Sequence, residues 1–177
     1  MKTNIFILFT IFFTQFSFSD SFNFNTYNNH GVIGLINMPT ARFYDESSYG
    51  LTFYEGDPDK KISLTSSPYD WMEASLFYMD INERKLCRNN VQGEIFCQGY
   101  KDKGFNFKIR VKEEGLLPSI AIGINDIAGT GFYSSEYIVG SYGINNLDFH
   151  FGLSWGTLNG SSNSFKNPLG YISDDFY

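Results

Sequence analysis

Positive charge is scarce in this chain: 13 Lys and Arg stand against 19 Asp and Glu, a net charge of −6. Proteins that neutralise phosphate backbones need a basic surface, so nucleic acid is excluded as a partner class. Histidine is scarcer still, with His30 and His150 alone, and there are only two cysteines. That leaves too few soft ligands for a structural metal site. Past residue 19 no apolar run approaches the ~20 residues of a spanning helix. Charged residues make up only 18% of the 177 positions, and runs of helix-favouring residues are missing. No stretch reads as a regular helix.

What the chain has instead is aromatics and glycine: 19 Phe, 12 Tyr and 17 Gly. That composition favours β structure. The first nineteen residues combine Lys2, an apolar run over Ile5–Phe13 and the small residues of Ser17-Phe18-Ser19. They are expected to be a secretory signal peptide cut before Asp20, the alternative being a membrane anchor. No cysteine lies at the cut to carry a lipid. In an exported chain, Cys87 and Cys97 in CRNNVQGEIFC are expected to form a disulfide closing a small loop.

Residues 20–48 read as a lead-in segment, partly irregular, with Asp20–Asn29 poorly ordered. From residue 49 a period of two takes over. Seven strands are expected: Tyr49–Glu55, Lys61–Ser66, Trp71–Met79, Lys103–Lys112, Ser119–Asn125, Ser134–Tyr142 and Leu147–Gly156. A long loop carrying both cysteines is expected between the third and fourth. The last strand states the pattern plainly. Leu147, Phe149, Phe151, Leu153 and Trp155 alternate with Asp148, His150, Gly152, Ser154 and Gly156.

A soluble sheet over a core and a lipid-facing barrel wall both give such alternation. Two features favour the barrel. Several runs have about the 9–11 residues of a tilted membrane strand. The connections also alternate long and short from Trp71 onward, as the outer loops and periplasmic turns of outer-membrane barrels do. The expected fold is therefore all-β: an antiparallel meander of seven to eight strands over 49–177, the N-terminal part of an outer-membrane-type β-barrel. Seven is odd, whereas single-chain bacterial barrels have even counts. Leu169–Tyr177 makes a poor eighth strand because Asp175 shares a face with Leu169 and Tyr171. The expectation is a segment of a larger barrel or a truncated product.

Four strings then carry a resemblance: GLINMPTAR, GYKDKGFNFKIR, GINDIAGTGFYSSEYIVGS and LDFHFGLSWGTL. In this order, from about Gly31 to Gly170, they resemble the YjbH family of large bacterial outer-membrane proteins, often described as lipoproteins. The resemblance covers only the N-terminal part of such chains. Phe77 stands where the family pattern has Arg, and the lipoprotein cysteine is missing. The resemblance implies a role in exopolysaccharide production or export, with outer-membrane lipid, the polymer and other export proteins as partners. It implies no catalytic motif.

The residues agree in offering little catalysis. His150 has Asp148 two positions away on one face, but a triad needs a third group and a pocket. DIAGTG lacks the Lys-Ser/Thr ending of a phosphate loop, so no cofactor is expected. Lys101, Lys108, Arg110 and Tyr142 are the candidate contacts to an acidic polymer. Lys101 and Lys103 would join Lys108 and Arg110 in a positive track inside the barrel, the alternative for the YKDKGF string being a charged strand end at the water interface. The competing reading is a soluble, secreted or periplasmic β-domain that binds glycans or a partner protein. An envelope hydrolase would require Glu73, Asp126 or Glu136 as a clustered acid pair.

Overall fold

The computed structural model describes residues 25–56, 59–89, 93–160 and 166–171. Nine strands are described. Two short ones, β1 (Gly34–Leu35) and β2 (Met38–Pro39), form a small hairpin. The other seven form one antiparallel meander: β3 (Ser48–Glu55), β4 (Asp59–Tyr69), β5 (Met72–Asn89), β6 (Ile95–Lys112), β7 (Ser119–Ile127), β8 (Ser135–Ile144) and β9 (Leu147–Gly156). Each pairs with its sequence neighbours, and β3 and β9 are the two edges. The sheet is thus open among the described residues. The only helical turns there are two 3₁₀ turns, Thr157–Asn159 and Pro168–Tyr171. The second occupies the start of the weak eighth strand, and 172–177 and the signal segment lie outside the described residues.

All seven expected strands form, because alternation fixes both their existence and their faces. The cysteine segment differs from expectation. It is not a loop but a continuation of β5 and β6, in register from Lys85↔Gly99 to Asn89↔Ile95. An irregularity between Ile81 and Lys85 separates this ribbon from the sheet. Cys87 and Cys97 are directly opposite and bonded, with sulfurs 2.04 Å apart. The ribbon residues Asn82–Asn89 are exposed on both faces and reach roughly 25 Å beyond the sheet at ~3.3 Å per residue.

Burial along the strands runs opposite to that of a soluble sheet. On one face, rows of large apolar side chains are exposed. Leu51, Leu64, Leu76 and Phe105 are successive cross-strand partners. So are Ile109, Ile122, Ile138 and Leu153. On the other face the buried polar residues include Lys61, Ser63, Thr65, Glu73, Ser75, Asp102, Asn106, Lys108, Ser119, Asn125, Ser135 and Ser141. Among the described residues, apolar burial at that face includes two small clusters, beside Val32 and Ile33 of the segment that covers it. Phe77, Met79 and Ile81 pack with Tyr100, Phe132 and Tyr133. Ala41, Phe43, Ala121, Tyr137 and Val139 pack with Leu158.

Candidate functional site

The inner face is covered by the chain's own N-terminal segment. Residues 25–47 run across the strands as a strap and reach all seven. Tyr27 lies over Gly50 of β3, where any Cβ would collide with its ring. Thr65 of β4 donates to the Gly31 carbonyl. Glu73 of β5 accepts from the Ile33 N–H at 3.0 Å. Asn106 and Lys108 of β6 donate to the His30, Ile33 and Arg42 carbonyls. Ser119 of β7 donates to the Ala41 carbonyl, and Ser141 of β8 accepts from the Ala41 N–H at 2.9 Å. Arg42 completes the crossing with a bidentate pair to Asp148 of β9, at 2.9 and 2.6 Å, and a further pair to Glu114. Such paired geometry is the strong form of an arginine–carboxylate contact.

Local sequence explains the path. Gly31 adopts a positive φ of 77° and sits so close to Ser63 that no side chain fits. The strap is polar-backbone material without strand partners for most of its length. The hydroxyls and amides of the inner face satisfy its N–H and C=O groups in place of a ladder. Burial works against charge on Arg42. Asp148 and Glu114 more than offset it, so its pKa lies above the ordinary guanidinium value. Burial, with Lys61 nearby, pushes the His30 pKa down to about 4.

Glu73 and Lys108 are cross-strand partners with Nζ–Oε1 3.3 Å apart, and neither side chain touches solvent. Gly123 and Tyr137 extend the same row, the Tyr137 ring filling the space over Gly123. At the other end of the inner face the Gly-rich loop after β7 folds inward. Thr130 donates to Asp102, the Tyr133 hydroxyl to Asp59 and the Tyr133 N–H to Asp126. Lys61 lies under this loop, over the Phe77 and Tyr133 rings.

The four candidate polymer contacts do not share a surface. Lys108 is wholly buried, engaged by Glu73 and two strap carbonyls, and offers nothing to a ligand. Lys101 is seven positions away, an odd number, and so projects from the opposite face, where it pairs with Asp80. Tyr142 is opposite Phe149, also on the apolar face. Arg110 is on the inner side, held over the Phe43 ring and near Asp70 and Glu113. The expected positive track is therefore broken up: Lys108 is in a buried ion pair, Arg110 is half-buried on the same face, and Lys101 is on the opposite one.

The third group missing beside His150 and Asp148 is Ser141. Its Oγ is 2.8 Å from His150 Nδ1, and His150 Nε2 is 3.5 Å from Asp148 Oδ2. Cross-strand register, Ser141↔His150, brings them together, and no sequence signal marks it. Ser141 has no solvent-accessible surface, its Oγ accepts the Ala41 N–H, and Asp148 is committed to Arg42. The trio ties the strap down. Glu73, Asp126 and Glu136 are likewise taken: by Lys108, by the Tyr133 N–H and by Asn167 respectively.

Comparison with known proteins matches residues 26–177 to the family described as exopolysaccharide biosynthesis protein YbjH. The uncharacterized lipoprotein YjbH of Escherichia coli (strain K12) is 37% identical over 150 residues, which cover 84% of this chain and 21% of that protein. The chain thus spans about a fifth of the length of that relative. No solved structure matches. With nearly the whole described chain matched to one family, the chain belongs to the YjbH family.

Proposed function

We propose that this chain forms part of the wall of an outer-membrane β-barrel that serves exopolysaccharide production or export as a pore or scaffold, not as a catalyst. The observation that carries the reading is the inverted burial: apolar rows outward, serines, amides and an ion pair inward. Lipid is the one solvent that rewards such a surface, whereas contiguous apolar rows of this size are unusual on a soluble monomer. The name of the matched family supplies the polymer, and the lipoprotein relative fits the cell envelope.

With the N-terminus on the periplasmic side, β3 and β9 both ascend, because five strands lie between them in an antiparallel meander. The short turns at 70–71 and 145–146 then lie in the periplasm, and the disulfide ribbon and the Gly-rich loop lie outside. Antiparallel closure requires an odd number of further strands between β9 and β3. Copies of this sheet in the same orientation cannot supply that by pairing edges. Tyr69 and Trp71, stacked at 5.4 Å and half exposed beside a periplasmic turn, suit the membrane interface.

Cell fractionation of the full-length product of the natural gene tests the reading. A barrel stays in the outer membrane through a carbonate wash and migrates faster on a gel when unboiled. A protein that washes off or is soluble in the periplasm would instead bury its apolar rows under a second layer, as a sandwich does.

A further inference from the structure

We infer that residues 25–47 are a built-in plug that shuts passage along this wall. The inference rests on the barrel reading and adds what occupies its interior. Three observations carry it. The strap contacts every strand of the sheet, from Gly50 on β3 to Asp148 on β9. It is gripped mainly through its backbone, at His30, Gly31, Ile33, Ala41 and Arg42, so Thr65, Glu73, Asn106, Lys108 and Ser141, which would meet a passing polymer, are already engaged by it. The Gly-rich loop closes the other end of the same face through Asp102 and Asp59.

Arg42 is the natural release point. Its partners Asp148 and Glu114 are about one-fifth exposed, at 23% and 22%, whereas Glu73 and Lys108 deeper in are fully covered. Their charges would repel an acidic side chain at position 42. A polymer could reach the inner face of these strands only after the strap had left it.

The test uses the full-length protein in membranes, with its native disulfide intact and one cysteine added. Ser141→Cys and Thr65→Cys lie behind the strap, and Ile95→Cys on the ribbon is the open control, at 72% exposure. A polar, membrane-impermeant maleimide should label the two covered positions on the order of a hundredfold more slowly than the control, because labelling waits for local opening. Adding Arg42→Glu should bring Ser141→Cys to within roughly tenfold of the control, the charge reversal having weakened the closed state. It should also raise conductance in planar lipid bilayers.

Equal labelling at all three positions in the unsubstituted strap would overturn the plug. So would labelling that stays slow in Arg42→Glu, or labelling that is released without a rise in conductance. Loss of the heat shift in the unsubstituted protein would instead sink the barrel reading itself, which keeps the two failures apart.

Discussion

The two faces of the sheet solve opposite problems with the same backbone. The apolar face carries Leu51, Phe53, Phe105, Phe149, Phe151 and Leu153 with no partner layer among the described residues. The inner face buries Glu73, Lys108 and a set of serines and amides under a strap that makes no regular ladder with the sheet. In a water-soluble sheet the polar face would be open and the apolar face covered. Here the covered face is the one that needs hydrogen bonds, so its stability depends on the partners that Thr65, Glu73, Asn106, Lys108, Ser119 and Ser141 find in the strap. The exposed face depends only on what solvent surrounds it.

The largest effect should come from breaking the buried pair. Glu73→Ala leaves the Lys108 ammonium buried without its carboxylate and removes the acceptor of the Ile33 N–H. Removing one partner of a buried pair costs about 3–5 kcal/mol. Replacing both by Met should cost much less, because no charge is stranded. Urea unfolding of the full-length protein in detergent or lipid would measure both.

The second effect sharpens the contrast between faces along a single strand. Phe151→Arg places charge in the apolar row and should cost about 2–4 kcal/mol near the middle of a bilayer. Ser154→Arg, on the other face of β9 and half-buried, puts no charge in the apolar row and should cost less. Matched folding titrations into vesicles would give the difference.

The third separates the ribbon from the wall. Replacing both cysteines by Ser removes a bridge over ten residues, worth about 2–3 kcal/mol on loop-closure grounds. The loss should be confined to residues 82–99, seen as faster amide exchange there, with β7 to β9 unchanged. Faster exchange throughout the wall would mean that the ribbon and the sheet unfold as one unit.

The smallest concerns pH. The folded His30 pKa of about 4 lies below the usual 6.5, so the folded state resists the proton more than the unfolded chain does. Stability is therefore complete above about pH 6.5 and falls as pH drops towards 4. Between pH 7.5 and 5.5 the loss should be about 1 kcal/mol, and His30→Gln should remove that part of the slope.

Much of the sheet was legible because period two is a local signal. Phe105, Phe107, Ile109 and Val111 can be assigned to one face without knowing any partner. The separation of Lys101 from Lys108 was equally legible, since an odd spacing in a strand means opposite faces. The Glu73–Lys108 pair was not, because it depends on register between β5 and β6. The Ser141–His150 contact depends in the same way on register between β8 and β9. The strap was the least legible element. It is recognised through its carbonyls and N–H groups, which every residue carries, so its side chains announce only an irregular segment. The ribbon escaped for a different reason. Both its faces are exposed, so no alternation marks it, and only the directly opposed cysteines hint at the pairing.

Spin labels placed in turn at residues 147–154 of the membrane-inserted, full-length protein test the central claim most directly. Collision with oxygen dissolved in the lipid should alternate, high at Leu147, Phe149, Phe151 and Leu153 and low at the residues between them. A reversed alternation, or low oxygen access at all eight positions, would mean that the apolar face is covered by protein, and the account of this sheet as a lipid-facing wall would be wrong.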